Sequence, residues 1–157
     1  MKKPFYQLEQ TGDVIRQFTP NWFTMTMGTG VVALILPEFP FASDFLWQLA
    51  TILWQFNTLL FTVFIILYVL RWLIYPQEAK QIFSHPAMAL FLGAIPMGLA
   101  TVLNGFLKYG IAIYGDVAFQ IAQLLWYVDV VLAVGIGVLV PFCMFHKQDH
   151  QLHTMTA

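Results

Sequence analysis

The chain has 157 residues, of which 59% are hydrophobic, 17% aromatic and only 10% charged. Soluble domains usually carry about 25% charged residues, so this composition excludes an ordinary soluble domain and predicts an all-α integral membrane protein. The formal net charge of −1 leaves no excess of basic residues to neutralise phosphates, which excludes nucleic acid as an expected partner. The single cysteine, Cys143, excludes a disulfide framework within the chain.

The sequence begins and ends with polar stretches. Residues 1–19 lack the apolar run and the small-residue cleavage site of a secretory signal, so we predict a retained cytoplasmic tail. Four apolar segments follow and form the predicted transmembrane region, residues 20–146. Their approximate bounds are 20–37, 45–75, 86–107 and 117–146. Each is close to or above the roughly 20 residues that a helix needs to cross a bilayer. Residues 147–157 are predicted to be a second cytoplasmic tail or a truncated linker.

Basic residues predict the orientation of the chain. If the N-terminus is cytoplasmic, six of the seven Lys and Arg residues lie inside and only Lys108 lies outside. Cytoplasmic segments of membrane proteins carry an excess of Lys and Arg. We therefore expect both termini to face the cytoplasm, in a plasma membrane or a bacterial inner membrane, with the lipid bilayer as the surrounding partner.

The first apolar segment opens with "NWFTMTMGTG" at residues 21–30. Thr24 and Gly28 are four residues apart, as are Thr26 and Gly30, so small residues stack on neighbouring faces of a helix. That spacing lets two helix backbones approach closely in lipid. The same residues would also leave backbone open to a narrow lumen, where hydroxyl groups hold an anion weakly enough for it to leave. Packing and a pathway are both open interpretations of this segment.

The second segment carries a polar stripe that recurs every three or four residues. Its members are Gln48, Thr51, Gln55, Thr58 and Thr62. Hydroxyl and amide side chains on a membrane helix often bond to neighbouring helices. We expect the stripe to face a protein neighbour.

The third segment contains a proline in the middle of an apolar helix. Pro96 lacks an N–H donor and is expected to free the carbonyl of Leu92 and kink the helix. A kinked helix at membrane depth is tolerated where it is buried in protein or lines a water-filled cavity. Gly93 and Gly98 keep the helix slim on either side of the kink.

The fourth segment carries Asp129 near its centre. A carboxylate at that depth is costly and is a functional hypothesis by default. Proton coupling, a helix-to-helix clamp and a negative element that weakens anion binding are the candidate roles. No basic residue lies at matching depth in the four segments, so the side chain is protonated, meets hydroxyls, or has a partner elsewhere.

No set of residues predicts an enzyme, a metal site or a cofactor site. The tail histidines are spaced at i, i+4 and i+7 and are expected to be solvated rather than metal-bound. They are His146, His150 and His153. We find no serine–histidine pair, no phosphate-binding glycine loop and no pair of mid-span histidines for haem.

Three blocks of the sequence together resemble one family. "FTPNWFTMTMGTGVVALIL" resembles the opening of the tellurite-resistance/dicarboxylate transporter family. "SHPAMALFLGAIPMGLATVLNG" resembles its third helix, and "LLWYVDVVLAV" its fourth. The family includes bacterial tellurite-resistance permeases, fungal malate permeases, fungal sulfite efflux pumps and the plant slow anion channel. The resemblance implies a fold of ten helices, usually assembled as a trimer, in which the odd-numbered helices surround a pore in each subunit.

The resemblance also implies a function and a set of pore-lining residues. This chain would be an N-terminal portion that supplies the first four helices, and it would move small anions such as malate, sulfite or inorganic anions. The residues expected to line the pore are Thr26, Gly28, Thr29, Gly30, Pro96 and Gly98. Asp129 stays a candidate for proton coupling or for a structural role. The alternative is a non-transporting membrane subunit, or an inactive fragment that assembles with partner helices.

Overall fold

The computed structural model describes residues 12–40 and 43–147. Within these ranges the regular elements are all helical. The α-helices are α1 Asp13–Arg16, α2 Phe23–Ile35, α3 Asp44–Ile74, α4 Pro76–Lys80, α5 Pro86–Leu90, α6 Ala94–Gly105, α7 Ile111–Tyr114 and α8 Asp116–Lys147. Tighter 3-10 turns adjoin them at Pro20–Trp22, Leu36–Glu38, Gln81–Ser84 and Phe91–Gly93. Most of the two predicted tails, with His150 and His153, lies outside the described residues.

Three helices in the described part of the chain are long and apolar enough to cross a membrane. They are Asp44–Ile74, Ala87–Tyr114 and Asp116–His146. Helix α2, which corresponds to the first apolar segment, has 13 residues. At 1.5 Å per residue it is about 20 Å long, short of the roughly 30 Å hydrocarbon core. Four complete crossings therefore stay a prediction.

The third apolar segment forms one continuous helix, Ala87–Tyr114, which includes most of α5 and all of α6 and α7 and is called the third helix below. Its hydrogen-bonding pattern changes twice along its length. The 3-10 turn Phe91–Gly93 comes immediately before α6, in which Pro96 is the third residue. The turn includes Leu92, whose carbonyl Pro96 cannot bond because it has no N–H to donate. The predicted kink stays a prediction. A π-helical segment, Phe106–Gly110, joins α6 to α7.

The third helix runs beyond its predicted end at residue 107. It continues through the π-helical segment and stops at Gly115, whose φ of 61° suits a residue without a side chain. The glycine at 110, by contrast, lies within the helix with ordinary helical angles of −64° and −36°.

The third helix is the centre of the described fold. Buried residues make up 56% of its most apolar window, compared with 11% for α8. Helices α2 and α3 pack on one side of it and α8 on another. On the α2–α3 side, Phe23 is completely buried, with ring centroids of Phe61 and Tyr68 at 5.6 and 5.9 Å. Helix α8 is therefore peripheral in the described part of the chain.

Candidate functional site

Helices α2 and α6 touch at their small residues. Thr26 is 0% exposed. A Cβ atom built on Gly98 would lie 2.7 Å from the Thr26 hydroxyl oxygen, and one built on Gly30 would lie 2.0 Å from the hydroxyl oxygen of Thr101. Real Cβ atoms do not approach other atoms so closely, so a side chain at either position would force its neighbour to move. These four residues are therefore in close helix–helix contact.

Asn57 of α3 joins this contact, and the sequence analysis did not single it out. The side chain is 0% exposed, and its Nδ2 donates to the Thr101 hydroxyl at 3.4 Å. Thr101 in turn donates to the carbonyl oxygen of Gly98 at 2.8 Å. The available signal was an asparagine in mid-helix with apolar residues three and four positions away on both sides: Leu53, Trp54, Leu60 and Phe61. We call this set the polar crossing: Thr26, Gly30, Asn57, Gly98 and Thr101.

The polar stripe of α3 lies on another side of that helix. Its threonine hydroxyls donate to carbonyls one turn back in the same helix, as Thr58 does to Trp54 at 2.9 Å and Thr62 to Thr58 at 2.8 Å. The stripe borders a groove of about 670 Å³ whose opposite side includes Tyr114 and Ile121. Among the described residues, the α3 side chains that bond to the third helix are Asn57 and Trp54, whose Nε1 donates to the carbonyl of Val102 at 3.1 Å, and not those of the stripe.

A second group of residues on α2 and the third helix is exposed or half-buried. Gly28 is exposed, and nothing lies within 4 Å of a Cβ built on it, while Thr29 is half-buried. On the third helix, Met97 and Asn104 are exposed and Ala100 is half-buried. We call these residues the open face: Gly28, Thr29, Met97, Ala100 and Asn104.

The six residues expected to line a pore thus divide into two groups. Gly28 and Thr29 belong to the open face. The other four are buried against protein within this chain: Thr26, Gly30, Pro96 and Gly98. Pore lining stays a prediction for all six, and the exposure of Gly28 and Thr29 agrees with it.

Lys108 and Tyr109 tie the third helix to the end of α2. The ammonium group of Lys108 donates to the carbonyl of Leu34 at 2.8 Å and pairs with the carboxylate of Glu38. The Tyr109 hydroxyl donates to the carbonyl of Ala33 at 2.6 Å. The last carbonyls of a helix lack partners within it, and a cation near them is favoured by the helix dipole. Both side chains come from the π-helical segment.

A second ion pair lies beyond the opposite end of α2. The Nε of Arg16 donates to both carboxylate oxygens of Glu78, at 2.9 Å to Oε1 and 2.8 Å to Oε2. Hydrogen bonding from the guanidinium lowers the pKa of the Glu78 carboxyl below its ordinary value. Nearby, the buried Arg71 donates to the carbonyl of Phe18 at 2.6 Å. These contacts fix α1 to α4 and the chain before α2 to the end of α3.

Asp129 lies on the side of α8 that packs against the third helix. It belongs to the stripe of α8 residues that are buried or half-buried at intervals of three and four: Ala118, Ala122, Leu125, Asp129, Leu132, Ile136 and Val140. Its Oδ1 atom is buried without a hydrogen-bond partner in the described residues. The structure therefore places Asp129 in the contact between α8 and the third helix, and its role stays a prediction.

Comparison with known proteins gives the same family by independent routes. A family model described as "voltage-dependent anion channel" matches residues 17–157. The chain is 33% identical to a sulfite efflux pump of Arthroderma otae over 162 residues, covering 98% of this chain and 43% of that protein. It is 26% identical to a malic acid transport protein of Schizosaccharomyces pombe over 154 residues, covering 98% of this chain and 34% of that one. The chain thus spans less than half the length of these relatives. No solved structure matches it.

Proposed function

The chain belongs to the voltage-dependent anion channel family, and from that premise we propose that it supplies two pore-lining helices to a transporter of small anions. The match confirms the tellurite-resistance/dicarboxylate transporter family indicated by the sequence. Its members are transporters and channels rather than enzymes, and the apolar helices agree with an integral membrane protein. The two pore-lining helices would be α2 and the third helix.

The names of the relatives suggest the substrate class. One relative is a sulfite efflux pump and another a malic acid transport protein, so sulfite and C4-dicarboxylates such as malate are the first candidates for this chain. We further propose that both termini face the cytoplasm and that the protein assembles as a homotrimer in a plasma or bacterial inner membrane. The distribution of basic residues supports the orientation.

The observation that carries the proposal is the division between the polar crossing and the open face. The polar crossing holds the backbones of α2 and α6 so close together that a Cβ on Gly30 or Gly98 would overlap the other helix. The open face leaves Gly28 without neighbours and exposes the amide of Asn104, whose Nδ2 donates only within its own helix, to the carbonyl of Ala100 at 2.7 Å. A polar amide turned toward hydrocarbon is costly, whereas one turned toward a hydrated lumen is not. An anion path along this side of the two helices accounts for both features.

The direct test is anion flux in liposomes that contain this 157-residue chain, with sulfite, malate and chloride gradients in turn. We expect flux above that of empty liposomes, and the order of rates would identify the substrate class. Absence of flux from protein shown to be folded and inserted would overturn transport by this chain alone.

A second candidate is a membrane subunit that assembles with partner helices and does not transport by itself. The exposure of α8 favours it, since only 11% of its apolar window is buried within the described chain. Chemical cross-linking in the same liposomes distinguishes the two candidates. A subunit would give oligomers without flux, and a transporter would give flux.

A further inference from the structure

We propose that Lys108 selects for anions at one mouth of the pore, and that the Glu38 carboxylate competes with the passing anion for its ammonium group. The inference rests on the proposed function and deepens it, because it assigns charge selection to two named side chains. It also gives a role to Lys108, the one basic residue that the sequence analysis predicted on the outer side of the membrane.

The first argument is position. Lys108 follows Met97, Ala100 and Asn104 at intervals of three, four and four residues, so it extends the open face of the third helix toward one end. Glu38 comes directly after α2, ten residues beyond Gly28. The ion pair between Lys108 and Glu38 therefore joins the ends of the two helices whose open sides would form the wall.

The second argument is how each partner is held. Lys108 keeps a bond to the Leu34 carbonyl at 2.8 Å that does not depend on Glu38. Its side chain is 24% exposed, whereas that of Glu38 is 70% exposed. The carboxylate can therefore swing into water while the ammonium stays at the end of α2. A fixed cation with a displaceable counter-ion is suited to weak, reversible anion binding.

The third argument is the charge around the pair. Asp44 and Asp116 begin α3 and α8 at the same end of the helices and would repel anions. Among the basic residues whose side chains the structure describes, the others lie toward the opposite end: Arg16, Arg71 and Lys80. The neighbouring Tyr109 hydroxyl is engaged by the Ala33 carbonyl. Lys108 is therefore the positive charge available to anions at this end of the described chain.

The test compares chloride flux in liposomes for Lys108→Met, Lys108→Arg and Glu38→Gln variants of the whole chain at two ionic strengths. Lys108→Met keeps the length of the side chain and removes its charge. We expect it to lower flux about fivefold at 0.01 M salt and less than about twofold at 1 M, because the Debye length falls from about 30 to 3 Å. Lys108→Arg should keep the flux within about twofold of that of the unchanged chain.

Glu38→Gln should act in the opposite direction and raise chloride flux at 0.01 M salt, because the competing carboxylate is gone. Lys80→Gln is the matched control, since it removes one exposed positive charge near the other end of the helices and should leave flux unchanged. If Lys108→Met does not assemble, the direction of the Glu38→Gln effect and its loss at high salt decide the matter.

Three results would overturn the inference. Equal losses of flux at both ionic strengths, without rescue by Lys108→Arg, would make Lys108 a purely structural tie to α2. Reduced flux in Glu38→Gln would exclude competition. Unchanged flux in Lys108→Met beside a conducting unchanged chain would overturn charge selection and leave the proposed function standing. If the unchanged chain conducts no anion at all, the proposed function fails first and the inference fails with it.

Discussion

Gly30 and Thr101 lie so close that a single added carbon at Gly30 would sit 2.0 Å from the Thr101 hydroxyl oxygen. The approach brings the backbone of α2 against the third helix in the middle of an apolar region. Without a hydrophobic driving force between helices in lipid, such van der Waals contact and hydrogen bonding are what hold them together. A substitution at Gly30 therefore tests how closely the two helices pack at the polar crossing.

Gly30→Ala should destabilise the protein. The added methyl group would meet Thr101 and the Nδ2 of Asn57, at 2.0 and 2.7 Å, and overpacking of this kind costs about 1–3 kcal/mol. Thermal unfolding in detergent measures the effect. Gly28→Ala is the matched control, because nothing lies within 4 Å of its Cβ. Equal unfolding midpoints for the two variants would contradict the crossing as described.

Gly28→Leu should block anion flux while leaving assembly and the unfolding midpoint intact. The leucine side chain would project into the open face, where nothing in the described chain lies within 4 Å of its Cβ, and would narrow a lumen. Flux in liposomes and size-exclusion chromatography check the two halves of the prediction. Unaltered flux in a correctly assembled variant would remove Gly28 from the pore wall.

Asn57→Ala should lower stability by about 2 kcal/mol, because it deletes a hydrogen bond and leaves a cavity at a fully buried position. Gln55→Ala changes an exposed residue of the same helix and should have little effect on unfolding. Comparison of their unfolding midpoints tests the assignment. A larger effect at Gln55 would show that the groove side of α3, and not the crossing, holds the helices.

The Arg16–Glu78 pair should make stability depend on pH in acid. The folded-state pKa of Glu78 is lowered from 4.5 by its bond to Arg16. The stabilisation is therefore present above about pH 4.5 and is lost as the pH falls through the lower, folded-state pKa. Glu78→Gln should remove this component of the acid response, and added salt should weaken it since both side chains are exposed. Identical acid profiles for Glu78→Gln and the unchanged chain would contradict the prediction.

Asp129→Asn should leave the pH profile of anion flux unchanged. The side chain lies in the contact between α8 and the third helix, and an amide of the same shape fills the same space there without a titrating proton. Proton-coupled flux measured from pH 5 to pH 8 is the check. Loss of the pH dependence would assign proton coupling to Asp129 in place of a structural role.

The sequence was sufficient for the features that depend on local chemistry. An apolar composition predicted membrane helices, and Pro96 predicted a local change in the third helix, where the structure has a 3-10 turn at Phe91–Gly93. The family followed from three motifs in order. Packing between helices was one of the two interpretations left open for Thr26 and Gly30, and these residues do lie between helices.

The features missed by the sequence analysis depend on which helix faces meet. Asn57 looked less informative than the five-residue stripe beside it, because nothing local shows which side of α3 meets the third helix. The pair of Lys108 and Glu38 joins residues 70 positions apart. The extension of the third helix from residue 107 to Tyr114 was also missed, because the π-helical segment continues the helix past the polar Lys108.

The bonds from Lys108 and Tyr109 to the last carbonyls of α2 have a consequence for how the protein responds to its bilayer. Helix α2 is too short to match the hydrocarbon thickness by itself, and its end is fixed to another helix rather than to lipid headgroups. Its depth is therefore set by the helices that hold its two ends, α3 at one end and the third helix at the other. In thicker or thinner bilayers, hydrophobic mismatch should change the tilt of the longer helices. Helix α2 should then move together with them.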